Sequence, residues 1–200
     1  MNSPSIRWIA ARAAGGVVLG SIVMLSALLS AGCARRYRVD TQTGADGTTA
    51  YTVINNEIAT EGGTKYNDGF SERNRHVEKR CFLDLRAREK PGAGKAFELV
   101  LTYIGTTALN IEPGRSLEIV IGLNSTMLSA GGGAVRKSKD PSTKLVTESL
   151  DYPVSPQLLL SMAEAATIQV IVSGEDGEVR GSFDDENFAN LRRFVNDYVQ

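Results

Sequence analysis

The chain is expected to fold as an α+β domain, mainly an antiparallel β-sheet or sandwich with a short helix and a docked C-terminal helix. Three observations predict it. Apolar residues alternate along "RCFLDLRARE", "KAFELVLTYIG" and "RSLEIVIGLN", the period of strands half covered by a core. The joints "KPGAG" and "EPGR" place proline and glycine where a chain reverses. After residue 150 the apolar spacing turns helical twice.

The first segment differs from all that follows. Arg7 and Arg12 are its only charges, none occurs from Ala13 to Gly32, and the apolar centre Val17–Leu29 ends in Ser30, Ala31 and Gly32 before Cys33. A basic start, an apolar run and small residues make the pattern of a cleaved export signal. The stretch "LLSAGC" resembles the lipobox of bacterial lipoprotein precursors. The resemblance implies a diacylglyceryl group on the Cys33 sulfur and a cut after Gly32, with palmitate among the acyl chains. Ser30 stands where that family most often has leucine, and Leu29 lies one place earlier. Ala34, rather than an aspartate, follows the cysteine, which by the same resemblance implies sorting to the outer membrane, facing the periplasm. An uncleaved anchor is the alternative, since a hydrocarbon core needs about 20 apolar residues, but Gly15, Gly16 and Gly20 dilute the run. Arg35, Arg36 and Arg38 would then meet anionic head groups.

Loss of residues 1–32 leaves one ordinary domain and makes the formal charge of −1 more negative by two. A balance so weak and so mixed in sign points to no nucleic-acid partner. The expected divisions are a lipoprotein signal peptide over 1–32, a lipidated N-terminus with hairpin and polar tether over 33–76, and a single β-rich domain over 77–200. With Cys33 lipidated, Cys81 has no partner. It alternates with Leu83, Leu85 and Ala87 on one strand face, so a buried thiol is expected.

Within the mature chain, "YRVDT" and "TTAYTVI" flank "GADG", a hairpin signature. The polar stretch after it, through "SERNRHVEKR", reads as loop or tether. The three central strands follow. "SAGGGAVRKSKDPSTK" invites a phosphate-binding reading through its glycines with Arg136, Lys137 and Lys139, but lacks the GxxxxGK[ST] spacing and reads as a loop; "PGAGKAF" fails likewise at Ala96. "SPQLLLSMAEAA" places Ser155 at an N-cap and Pro156 at the first helical position. "TIQVIVSG" and "EVRGSF" make a hairpin around "GEDG". The final helix opens with Asp184 and Asp185 and carries Phe188, Leu191, Phe194, Val195 and Tyr198 as one apolar stripe.

Catalytic patterns are scarce. His76 is the sole histidine, set among Arg73, Arg75, Lys79 and Arg80, so no zinc pattern exists. Neither a GxSxG elbow nor an HExxH helix occurs. Asp84 with Glu89, and Asp184 with Asp185, are expected to be solvated or capping carboxylates rather than acid–base pairs. Asn124-Ser125-Thr126 matches a glycosylation acceptor that a bacterial lipobox makes idle. No catalytic residue, cofactor or metal is therefore assigned. The expected function is an outer-membrane-anchored periplasmic lipoprotein with a non-catalytic structural or protein-interaction domain. Its partners would be the membrane, through lipid on Cys33, and another envelope protein. The alternative is a small-ligand binder or enzyme whose site gathers scattered residues such as Glu98, Arg115 or Arg180.

Overall fold

A computed structural model describes residues 37–61, 79–131 and 133–200. The signal segment, Cys33, the tether and His76 lie outside them. The described chain is mostly antiparallel β-sheet: eleven strands join in one sheet that curls into a half-barrel. In chain order the elements are β1 (Val39–Thr43), β2 (Thr49–Val53), β3 (Glu57–Thr60), β4 (Lys79–Lys90), β5 (Gly94–Gly105), β6 (Arg115–Ile121), β7 (Asn124–Ser129), β8 (Arg136–Lys139), β9 (Val146–Val154), α1 (Pro156–Glu164), β10 (Ile168–Gly174), β11 (Gly177–Ser182) and α2 (Asp185–Phe194), which runs into a π-helical turn, Val195–Val199. The strand order is β7-β6-β10-β11-β3-β4-β5-β9-β8, with the β1–β2 hairpin attached to β4 beside β3.

The β4–β5 hairpin is the spine. Its register runs from Lys79↔Gly105 to Lys90↔Gly94 without a break, and Gly92 and Gly94 take the positive φ its turn requires. Alternation sends Leu83, Leu85, Leu99 and Leu101 into the core, all fully buried. Facing them are Leu117 and Ile119 of β6, Val170 and Val172 of β10, and the helical residues Leu159, Met162, Leu191 and Phe194. Each such side chain contributes about 1.5–3 kcal/mol by leaving water.

Both helices start as their caps dictate. The Leu158 N–H donates to Ser155 Oγ at 3.2 Å. In α2 the Asn187 N–H donates to Asp184 Oδ1 at 3.0 Å while the Asp184 N–H donates to Asn187 Oδ1 at 3.1 Å, a reciprocal cap. The stripe on α2 docks as its spacing predicts, with Phe194 edge-on to Phe97 at 6.4 Å between ring centroids.

Three differences from the sequence reading concern extent. The β1–β2 hairpin forms, but it is no appendage to a domain starting at residue 77: β2 pairs with β4 from Thr49↔Glu89 to Val53↔Leu85. Residues 57–60, within the stretch read as polar, form β3, which pairs with both β4 and β11. Asn55 turns the chain between β2 and β3 at φ 65°, a conformation asparagine tolerates. Likewise "RKSK" is strand β8, not loop, paired to β9 from Arg136↔Ser149 to Lys139↔Val146.

Candidate functional site

Strand alternation that buries leucines on one face of the spine puts charge on the other. Asp84, Arg86 and Arg88 of β4, Glu98 of β5, Asp151 of β9 and Arg136 of β8 share this outer face. Here β1 and β2 contribute Asp40, Gln42 and Thr52 to a cleft of about 400 Å3.

An ion-pair network crosses the cleft. Arg86 Nη1 donates to Glu98 Oε2 and to Asp151 Oδ2, each at 3.1 Å, and its Nε donates to Thr52 Oγ1 at 3.2 Å. Arg88 Nε donates to the same Glu98 oxygen at 2.9 Å. From the edge strand, Arg136 Nη2 donates to Asp151 Oδ1 at 2.7 Å and to Ser149 Oγ at 3.1 Å. Burial acts to raise the Asp151 carboxyl, but the guanidiniums of Arg136 and Arg86 hold it below the ordinary range. Bonding to Asp151 in turn raises Arg136.

Asp84 differs from its neighbours. Among the described residues no guanidinium reaches it, and it accepts a hydrogen bond from the Asn56 N–H at 2.9 Å. Burial pushes its carboxyl up to about 6, with Asn56 and the nearby charge of Arg86 opposing only in part. A perturbed carboxylate in a cleft is a recurrent mark of functional sites.

Asn56 ties this floor to α2. Its Nδ2 donates to the Leu83 carbonyl at 2.8 Å, while Asn187 Nδ2 and Asn190 Nδ2 donate to its Oδ1 at 2.9 and 3.2 Å. Glu57 beside it receives Arg80 Nε and Nη2 at 2.8 and 3.0 Å. A second buried carboxylate, Glu148, accepts the Asn110 and Ile111 N–H groups at 3.2 Å each and pairs with Lys137 at 3.1 Å, so it fixes the loop after β5.

Of the scattered residues singled out in the sequence, Glu98 belongs to the network, but Arg115 and Arg180 do not join it. Arg115 borders a separate cleft of about 230 Å3 with Glu112 and Glu175. Arg180 pairs with Glu178 at 2.6 Å. Asp84 and Glu89 stand apart, opposite Val100 and Lys95 across the spine; Asp84 is not the solvated edge carboxylate expected, because the hairpin covers it. Asp184 is a cap. Lys137 is committed to Asn110 Oδ1, at 2.9 Å, and to Glu148 rather than to an anion. Cys81 is a fully buried thiol, pushed up to about 12 by burial and then by Glu57. Among the described residues no group of three or more His, Cys, Asp or Glu could hold a metal ion. Sequence reading missed Arg86, Arg88 and Asp151; the signal was "DLRAR", whose charges fall on one strand face.

Compared with protein-family models, curated proteins and solved structures, the chain matches none.

Proposed function

We propose that the chain is a periplasmic lipoprotein, anchored in the outer membrane by lipid on Cys33, whose folded part is a non-catalytic interaction module. Its contact surface is the charged cleft on the outer face of β4, β5 and β9. The finer architecture is α+β, with α1 and α2 packed on the core side of the sheet and that face left for a partner, another envelope protein. The observation that carries this reading is the Arg86–Glu98–Asp151–Arg136 network. It fixes charge on rigid strands, an arrangement suited to recognition, while pairing occupies both carboxylates. Support for the anchor comes from "LLSAGC". Among the described residues no helix is long and apolar enough to cross a membrane.

The anchor is tested by labelling cells with palmitate. Label should enter the protein and vanish in a Cys33→Ser variant, which should leave the membrane fraction. Label retained in that variant, or a variant still in the membrane, overturns the lipoprotein reading.

The alternative, a small-ligand binder, draws on one observation, the isolated carboxylate of Asp84 in the cleft floor.

A further inference from the structure

The outer-face cleft has a charge pattern its own residues leave incomplete. Three guanidiniums, Arg86, Arg88 and Arg136, share two carboxylates, Glu98 and Asp151; of the other carboxylates in the cleft, Asp40 accepts from Gln42 at 2.9 Å. Arg136 is 56% exposed and Arg88 41%, so both can take a further acceptor without breaking their present bonds. Deeper in the same cleft, Asp84 accepts from the Asn56 N–H at 2.9 Å and, among the described residues, has no cationic partner within hydrogen-bond distance. Exposed guanidiniums at the rim and a carboxylate held by a backbone N–H on the floor complement a molecule with the opposite charges at its two ends.

The distance between them sets the size of that molecule. Asp84 lies opposite Val100 on β5, and Val100 lies opposite Asp151 on β9. Asp84 and the Arg136-bound Asp151 are therefore two strand spacings apart, about 9 to 10 Å. Side chains from both ends narrow that span. An extended peptide covers about 3.3–3.6 Å per residue, so two residues, with their terminal charges, bridge it. A cleft of about 400 Å3 has room for them and falls in the range of small-ligand sites.

We propose that this cleft binds the class of short zwitterionic peptides, two or three residues long, with the ammonium on Asp84 and the carboxylate on Arg136 and Arg88. The inference rests on the outer face being the contact surface, but not on the lipid anchor. Ala50 and Thr52 of β2 form the side wall, and they are too small to fill the space between the two charged ends.

The test is calorimetric titration of the full chain with three probes: dialanine, N-acetyl-dialanine, which lacks the ammonium, and dialanine amide, which lacks the carboxylate. Dialanine should bind with a Kd on the order of 1 mM or tighter. Each blocked probe should bind at least about tenfold more weakly, a difference of about 1.4 kcal/mol. Asp84→Asn and Arg136→Gln should each weaken dialanine by about tenfold, and Arg180→Gln, on β11 outside the cleft, should not. Arg136 sits on an exposed edge strand, so its variant tests the site even where the Asp84 substitution perturbs the fold. The proposal is overturned by no heat of binding with dialanine at about 10 mM, by equal binding of the blocked probes, or by unaltered affinity in both variants. Palmitate labelling is independent of all three results, so loss of this proposal and loss of the anchor are told apart.

Discussion

Asn187 on the last helix donates its side-chain amide to Asn56 Oδ1 at 2.9 Å, across 131 positions of sequence. Both residues are buried, at 1% exposure each. The bond fixes α2 against the bend between β2 and β3, with Asn190 donating to the same oxygen. Asn56→Ala removes an acceptor shared by two buried amides and a donor to the Leu83 carbonyl. Leaving such groups unmatched costs about 1–3 kcal/mol each, so the variant should lose at least about 2 kcal/mol in urea unfolding. A change below about 0.5 kcal/mol, the size of a neutral surface substitution, would show that the cluster does not hold the helix.

Phe194→Ala should also destabilise strongly. The ring is fully buried and contacts Phe97 and Tyr198. Truncating a buried phenylalanine costs about 3–5 kcal/mol. The thermal midpoint of the Cys33→Ser chain, which avoids the lipid, should fall by many degrees; an unaltered midpoint would mean that the stripe is free to bind a partner.

Asp84 gives stability an inverted pH dependence. Its carboxyl lies at about 6 in the fold against an ordinary value of 3.8, so the folded chain holds the proton more tightly than the unfolded one. Below about 4 the carboxyl is neutral whether the chain is folded or not and costs nothing; between about 4 and 6 the unfolded chain ionises while the folded one does not, and the cost grows to at most about 3 kcal/mol above 6. The charge of Arg86 and the Asn56 N–H oppose this in part, and the other charged groups lining the cleft are Arg88, Arg136, Asp40 and Asp151. Asparagine at this position keeps an acceptor for the Asn56 N–H without the charge. Unfolding midpoints measured from pH 4 to 8 should therefore show Asp84→Asn gaining on the parent as pH rises, and parallel curves would refute the assignment.

The Cys81 thiol should be inert in the folded chain. It is fully buried and its ionisation is pushed up to about 12, so the thiolate that reacts is scarce as well as shielded. In the Cys33→Ser variant, which has no other thiol, a maleimide should label the protein only as fast as it unfolds. Rapid labelling at neutral pH would show that β4 opens locally.

The parts of the fold legible in the sequence are those whose order is local. The β4–β5 spine follows from alternating leucines, α1 from Ser155 and Pro156, and α2 from Asp184 and a three- and four-residue apolar spacing. What escaped is polar chain buried by distant partners. β3 contains Glu57 and follows Asn56, both almost fully buried, yet nothing within ten residues announces Arg80 or Asn187 as their partners. β9 has buried Glu148 between Thr147 and Ser149, which masks its alternation. The cleft was illegible for the same reason: Arg86, Glu98, Asp151 and Arg136 lie on four strands, and only the register brings them together. Glu98 and Arg136 were singled out separately, Arg136 for an anion, and nothing linked either to Arg86 or Asp151.

β3 also has a mechanical consequence. The two halves of the sheet are laddered through this one four-residue strand, by Glu57↔Phe82 and Ile58↔Cys81 on one flank and Thr60↔Gly181 and Ala59↔Ser182 on the other. Under tension the chain has a perforated line there, where parting two pairs on one flank frees half a sheet, whereas parting the spine means parting twelve from Lys79 to Lys90. A tear along β3 would bare the rim of β4 or β11 to other chains, the kind of raw strand border that recruits foreign strands. A chain strained at this seam would fail by sticking to its copies before its spine unravelled.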